Sequence, residues 1–326
     1  GWSDEFNDSI INKFVEQDYT TFENFDTNRT FYLTKNNSSY KIYNSFVTNA
    51  SLTPLEDYGF HFWTEYHGTN DAGYFSDIKG KYKIFSGKAI GQYDYMSKHW
   101  LEKHGRSSRW KNVDFPKKPD THRTEYFVNE VPDRIWKHHK YNDSRYRLVV
   151  QDVTGAVNNK RTTYATILPK TNLTNNTLNN LYIGKSDEEL VFYCCVLNSF
   201  IFDWNARMKV ATHLNKFVLN SLIVPKFDKV KKDIKNQLLF KGISLLAVNS
   251  EFDELTRIIT NHSSYKSVLV VNDFDRQKLK NEIDILVGYC YNISKNDFVK
   301  ILDDFPQVDD SIKNDILSQY IHLENE

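Results

Sequence analysis

Apolar residues recur with the period of a helix over residues 187–210. The positions are Leu190, Val191, Cys194, Leu197, Phe200, Ile201 and Trp204. Their spacing of three and four residues places them on one face of a helix. Ser186 can cap its start, and Arg207 and Lys209 suit its last turn. We therefore predict one long helix over 187–210, in which Cys194 and Cys195 pack as small apolar residues.

The same helical period dominates the end of the chain. It predicts helices over 228–247, 250–261, 274–291, 294–304 and 309–322. In the third of these segments, Leu279, Ile283, Leu286 and Val287 follow the spacing of an amphipathic helix. The last hundred residues are therefore expected to form a helical unit.

Short β-leaning segments precede the long helix. They cover 81–85, 146–150 and 162–168, and turn-forming residues such as Gly87 and Pro169 bound two of them. Residues 1–56 are polar and weakly periodic, with strand-like pieces at 30–33 and 40–43. The predicted fold class is α+β: an irregular N-terminal segment (1–56), a unit with a mixed or antiparallel sheet and a long helix (57–227), and a C-terminal helical unit (228–326).

Composition adds an uneven charge distribution. The 326 residues contain 42 Lys and Arg and 42 Asp and Glu. Residues 79–147 nevertheless hold 17 basic and 8 acidic residues, whereas 1–78 and 273–326 are acidic. A basic middle of this kind is typical of a surface that faces phosphates.

The location of the protein is predicted from what its sequence lacks. It shows neither a basic and apolar leader nor an apolar run of about 18 residues. Its three cysteines are too few and too close together for a disulfide framework. A cytoplasmic protein that makes no contact with a membrane is expected.

Catalytic motifs are not found in the sequence. It contains no Gly-rich phosphate loop, no nucleophile elbow, no Cys-x-x-Cys pair and no S-adenosylmethionine motif. The nearest approach to a nuclease cluster is Asp71, Asp77 and Lys79, which leaves a stand-alone metal-dependent nuclease as one alternative. A second alternative is a protein-binding or glycan-binding module, because 6 Trp, 20 Tyr and 22 Phe are present.

Four segments in order carry a resemblance to one family. The first is 65–75 (EYHGTNDAGYF), and the second is 85–94 (FSGKAIGQYD). The third starts at 146–154 (YRLVVQDVT), continues through Arg161-Thr162, 197–203 (LNSFIFD) and 212–217 (THLNKF), and ends at Pro225. The fourth is 279–284 (LKNEID) with 297–306. The chain resembles the C-terminal target-recognition region, with a TaqI-like specificity domain, of type II (type IIG-like) restriction–modification DNA methyltransferases. One departure is Gln151, which stands where the family usually has Arg.

The resemblance implies a function and the partners that go with it. Residues 57–227 would be a DNA target-recognition domain that reads double-stranded DNA and does not itself catalyse. A methyltransferase catalytic domain, in cis or in trans, would transfer a methyl group from S-adenosylmethionine to adenine N6. No cofactor is expected in this chain. An endonuclease in the parent protein, with Mg²⁺, is a further alternative that the sequence leaves open.

The resemblance also implies which residues contact DNA, because Lys and Arg bind phosphates and planar side chains on loops read base edges. They are Lys88, Gln92, Lys98, Arg106, Arg109, Arg145, Arg147, Arg161, His213, Asn215 and Lys216. Residues 98–109 are expected to form a loop that enters a groove. Two alternatives stay open: Lys88 and Gln92 order the sheet internally, and His213 and Asn215 cap a helix end.

Overall fold

The computed structural model describes residues 37–78, 80–104, 107–140, 146–154, 159–169, 172–182, 186–210 and 213–321. Its helices are α1 (Asn37–Val47), α2 (Asp133–Lys140), α3 (Asp187–Leu197), α4 (Phe200–Arg207), α5 (Lys216–Asn220), α6 (Lys232–Leu246), α7 (Asp253–Thr260), α8 (Asp273–Tyr291), α9 (Lys295–Asp303) and α10 (Asp310–Gln319). Its strands are β1 (Leu52–Pro54), β2 (His61–Trp63), β3 (Tyr82–Phe85), β4 (Lys98–His104), β5 (Ser107–Asn112), β6 (Tyr126–Val128), β7 (Tyr146–Gln151), β8 (Ala165–Pro169), β9 (Leu173–Thr174), β10 (Leu178–Tyr182) and β11 (Ile223–Pro225). The predicted α+β class with a helical C-terminal region is confirmed.

The strands form four small sheets. An antiparallel sheet has the order β2-β10-β7-β8, and a mixed sheet has the order β6-β3-β9, with β3 and β9 parallel. β1 pairs with β11, and β4 pairs with β5, both antiparallel. Every residue of β8, and every residue of β7 except Gln151, is buried. This uniform burial follows from their apolar sequences and fits strands covered by other elements.

Helix α3 lies at the centre of the protein. Its residues from Leu190 to Leu197 are all buried, as expected for a helix that is apolar on every side. It contacts β7 and β8 as well as α6 and α7. Gly242 of α6 allows the close approach, because a Cβ atom there would lie 2.6 Å from Cys195 Sγ. Both Cys194 and Cys195 are fully buried, as predicted.

The prediction of one helix over 187–210 is wrong, because the helix breaks at Asn198 and Ser199. The predicted start is confirmed, since Ser186 Oγ accepts a hydrogen bond from Glu189 N at 3.2 Å. At the break, the Asn198 side chain bonds Ala165 of β8 through both its oxygen and its nitrogen, at 2.9 Å each. Ser199 then caps α4 by accepting from Phe202 N. The side-chain amide of Asn198 therefore bonds the sheet at the point where helix α3 ends.

The strand-like piece predicted at 40–43 is also wrong, because these residues lie in α1. Ile42, Tyr43, Phe46 and Val47 are buried, and their spacing of three and four residues suits a helix and not the alternation of a strand. The Phe46 ring lies 6.0 Å from the Trp204 ring and 5.1 Å from the Tyr291 ring. The N-terminal segment therefore contributes to the core, and the other predicted piece, 30–33, lies outside the described residues.

The C-terminal helices occur close to where the sequence predicts them, as α6 to α10. Their buried side chains belong to the same hydrophobic cluster as the sheet, which runs from Ile42 to Tyr320. Within the described residues, no helix has both the length and the apolar character needed to cross a bilayer.

A buried carboxylate joins the sheet to the helix break. Asp203, which is fully buried, accepts hydrogen bonds from the backbone N–H groups of Thr162 and Thr163 at 2.8 and 3.2 Å. It also pairs with Arg207 at 2.9 Å and with Arg161 at 3.3 Å. A buried carboxylate needs such partners because its desolvation is costly.

We predict that Asp203→Ala lowers the free energy of unfolding by about 3–5 kcal/mol, because two guanidinium groups and two buried N–H groups lose their acceptor. Urea denaturation would measure the change. Asp303→Ala, at an exposed position in α9, is the control and should alter stability by less than about 0.5 kcal/mol. Equal effects of the two substitutions would contradict the structural role of Asp203.

Candidate nucleic-acid interface

The segment predicted as a loop at 98–109 is a two-stranded antiparallel ribbon. Lys98 pairs with Asn112, Trp100 with Trp110 and Glu102 with Arg109, and an irregularity lies between Trp100 and Glu102. Residues 105–106, which include Arg106, lie outside the described residues. We name residues 98–112 the basic ribbon.

The basic ribbon carries five Lys and Arg residues against one acidic residue, Glu102. Lys98, Lys103, Arg109 and Lys111 are all exposed. Arg109 lies 2.6 Å from Glu102, in an ion pair that is itself exposed. Among the described residues, the three lysines have no carboxylate within ion-pair distance. Most of the ribbon's positive charge is therefore available to an external anion.

One face of the ribbon is attached to the rest of the protein. Trp100 and Trp110 share that face by register, and Trp110 packs against the main hydrophobic core. Arg123 covers the Trp100 ring at 5.3 Å, and its carbonyl accepts from Trp100 N at 2.9 Å. By alternation, Glu102, Arg109 and Lys111 lie on the opposite face. The tryptophans thus hold the ribbon in place while Arg109 and Lys111 occupy its other face. By the same register, Lys98 and Lys103 lie on the tryptophan face, where both are exposed.

Lys88 lies on a turn that contacts β4. Gly87 N donates to Thr177 Oγ1 at 2.8 Å, and a Cβ at Gly87 would lie 2.9 Å from Thr177 O, so the turn accommodates only glycine. Lys88 itself is exposed and has no hydrogen-bond or ion-pair partner among the described residues. Gln92 differs, because its side chain donates to Asn198 O at 3.1 Å. Gln92 therefore supports the internal structure, which is the alternative noted from the sequence.

Three further predicted residues, His213, Asn215 and Lys216, follow one another in the chain near the end of β7. Asp152 follows β7, and its backbone N donates to Thr177 O, next to the turn that carries Lys88. His213 Nδ1 lies 3.5 Å from Asp152 Oδ1. Asn215 caps α5, which is the alternative noted from the sequence, and Lys216 is exposed beside Phe217. His213 is thus linked through Asp152 and Thr177 to the turn that carries Lys88.

Two predicted contacts are buried. Arg147 is 2% exposed, forms an ion pair with the buried Glu65 and donates to Asn172 O. Arg161 is 8% exposed, pairs with Asp203 and lies 3.7 Å from the Phe200 ring. In this arrangement both guanidinium groups are buried and donate to backbone carbonyls inside the protein. Arg145 lies outside the described residues.

Among the described residues, the nuclease candidates Asp71 and Asp77 belong to no metal-binding cluster. Asp71 accepts from His67 N at 2.7 Å and pairs with Arg134 at 2.8 Å. Asp77 is exposed, and Lys79 lies outside the described part of the chain. Over the residues whose placement is described, no group of three His, Cys, Asp or Glu side chains could hold a metal ion.

Sequence reasoning missed His122, which holds the base of the ribbon. Its Nε2 atom lies 3.0 Å from Lys98 O, so Nε2 carries the proton and donates. Its ring stacks on Phe85 at 5.3 Å. Burial lowers the pKa of His122 to about 4. A single histidine among many basic residues gives no sequence signal of this role.

No protein-family model matches the chain, and no curated protein matches it. The resemblance described from the four segments therefore remains an expectation.

We predict that His122 makes the protein less stable in acid. Its pKa in the folded state, about 4, lies below the unfolded value of about 6.5, so its contribution is fully present above pH 6.5 and is lost as the pH falls toward 4. The full effect is about 3 kcal/mol. Urea unfolding between pH 7 and 5 would measure the slope of the unfolding free energy against pH. His122→Phe, which keeps a ring on Phe85, should reduce this slope by the contribution of about one bound proton.

His262, which is exposed, offers the matched control. His262→Gln should leave the slope of the unfolding free energy against pH as it is in the original protein. An unchanged slope in His122→Phe would contradict the assignment.

Proposed function

We propose that this chain is a sequence-specific recognition module for double-stranded DNA and that the basic ribbon enters the major groove. The observation that carries the proposal is the ribbon itself: two paired strands with exposed cations and a tryptophan face attached to the core. The major groove of B-DNA admits a two-stranded ribbon of this width. A loop would have to become ordered on binding, whereas a paired ribbon has this conformation beforehand.

The ribbon residues would divide the work of binding. Lys98, Lys103 and Lys111 are assigned to phosphates, which fix the register of the protein on DNA without reading sequence. Arg109 is assigned to a base edge, because a guanidinium can bond guanine O6 and N7 together. The ion pair with Glu102 would then position Arg109 before DNA is bound. Lys88 and Lys216 would contact phosphates beside the ribbon.

The module would serve an adenine-N6 methyltransferase of a restriction–modification system for phage defence. The four resembling segments support this, together with the lack of catalytic motifs in the sequence. A catalytic domain in cis or in trans, in the cytoplasm, would bind S-adenosylmethionine and the base flipped out of the stack. This chain would bind no cofactor and would hold the target site during the transfer.

Selection from a randomised duplex pool tests the proposal directly. At about 150 mM salt, the recovered DNA should be enriched in one motif, since base-edge contacts discriminate by about 1–3 kcal/mol each. Salt-sensitive binding without enrichment would show that sequence is not read by this chain. No binding at low salt would overturn the DNA proposal.

Substitutions should separate the two kinds of contact. Lys111→Gln is expected to weaken binding equally for all sequences and to reduce the slope of log K against log salt by about 0.9. Arg109→Gln is expected to cost about 1–3 kcal/mol and to relax specificity at one base pair. Fluorescence anisotropy with the selected motif and its single-base variants would measure both.

Lys295→Gln is the control for both substitutions, because Lys295 is exposed at the start of α9 and lies far along the chain from the ribbon. It should leave the affinity unchanged. If Arg109→Gln acts equally on all sequences, Arg109 is a phosphate contact and the reading group lies elsewhere.

A further inference from the structure

A polar cavity lies between the base of the basic ribbon and the first turns of α8. Its volume is about 560 Å³, which falls within the range of small-molecule sites, about 300–1,000 Å³. Segments 91–97 and 112–117, which flank the ribbon, form one wall, and α8 with the residue before its cap forms the other. Three cations line this cavity, and they differ in whether a carboxylate lies beside them.

One cation of the cavity has a counter-charge. Lys117, which is 3% exposed, lies 3.0 Å from Asp94 Oδ2 and donates to Val113 O. Asp94 also accepts from Met96 N at 3.0 Å. The Lys117–Asp94 pair is thus electrically balanced and hydrogen-bonded, as a buried ion pair must be.

A second cation, Arg276, is buried without a carboxylate. It is 5% exposed, and it donates to Val270 O at 2.8 Å and to Leu245 O at 2.9 Å. Its guanidinium also lies 4.5 Å from the Phe115 ring. These carbonyls satisfy donors but bring no charge. No acidic side chain in the described residues lies within ion-pair distance of Arg276.

The third cation, Lys280, lies one turn further along α8. Its half-buried side chain has no hydrogen bond and no ion-pair partner within the described part of the protein. Burial and the positive charges of Arg276 and Arg161 together lower the pKa of Lys280 to about 8, while the negative charges of Asp94 and Asp273 oppose this shift. An anion bound beside Lys280 would favour the charged form of this lysine.

Asp94 and Asp273 favour the charged forms of both cations, but among the described residues neither acid lies within ion-pair distance of Arg276 or Lys280. Asp94 is already paired with Lys117. Asp273 and Asp114 line the cavity but are exposed to solvent, which screens them. Asp284, on the next turn of α8, is buried and accepts from Phe200 N at 2.7 Å. Arg276 and Lys280 therefore leave positive charge on the inner wall.

We propose that this cavity binds a phosphate-type oxyanion, with Arg276 and Lys280 supplying the charge. Ser97 and Asn112, which line the same cavity, can add neutral hydrogen bonds. The proposal does not depend on the DNA-binding function. The phosphate belongs either to a free small molecule or to a DNA strand that passes the base of the ribbon, and both sources have the same chemistry at the cavity.

Calorimetric titration of the whole chain with inorganic phosphate, at constant ionic strength set with chloride, tests the site. The original protein should bind phosphate, and its Tm should rise with phosphate concentration. Lys280→Met keeps the length of the side chain without its charge and is expected to weaken binding at least tenfold. Lys278→Met, at an exposed position on the same helix, is the matched control and should bind as the original protein does.

The effect of pH gives a second readout. In the original protein, phosphate affinity should fall as the pH rises above about 8, because Lys280 loses its proton there. In Lys280→Met this decline should disappear. Lack of phosphate binding by the original protein, or binding of equal strength by a folded Lys280→Met, would overturn the proposal.

Competition distinguishes the two sources of the phosphate. If duplex DNA displaces inorganic phosphate, the cavity binds a backbone phosphate of DNA. If DNA and phosphate bind together without competition, the cavity serves a free phosphate compound. If DNA does not bind at all while phosphate does, the proposed function fails and the oxyanion site stands.

Discussion

The interruption of the helix at Asn198 and Ser199, between α3 and α4, is the constraint on which the rest of the structure depends. Three buried polar groups meet there, Asn198 at the break, Asp203 in α4 and Asp284 in α8, and each needs hydrogen-bond partners in the interior. Asn198 bonds the first residue of β8, and Asp203 bonds two residues that precede that strand. Asp284 accepts a hydrogen bond from Phe200 and so joins α8 to the start of α4. Apolar packing alone tolerates small shifts, whereas these directional bonds fix the sheet, the two helices and α8 in one arrangement.

The same break positions both candidate sites. Gln92 and Arg161 both donate to the Asn198 carbonyl, so segment 91–97 is tied to the helix break. The basic ribbon starts at Lys98, only six residues beyond Gln92, and the oxyanion cavity lies between this segment and α8. A surface that reads a duplex must hold its contacts within fractions of an ångström. The buried network supplies that rigidity at the base of the ribbon, and His122 adds to it from the other side.

The sequence is most informative where structure is local. The helices α6 to α10 follow from spacings of three and four residues, which need no knowledge of distant partners. The ribbon could not be predicted, because its pairing depends on Trp100 meeting Trp110 and on their packing against the core. Arg147 and Arg161 fail as surface predictions for a related reason. Their partners Glu65 and Asp203 lie 82 and 42 positions away in the sequence, and nothing local shows that a charge will be matched and buried.

The balance between exposed and buried charge decides what the basic middle of the chain can do. Lys117, Arg147 and Arg161 are neutralised inside the protein and contribute little to the external field. The exposed cations of the ribbon remain, while residues 273–326 carry a net negative charge. A molecule with zero net charge but such a separation orients in the field of DNA, with the ribbon toward the phosphates. Under the proposed function, association with DNA would therefore be steered by the ribbon even though the chain as a whole is neutral.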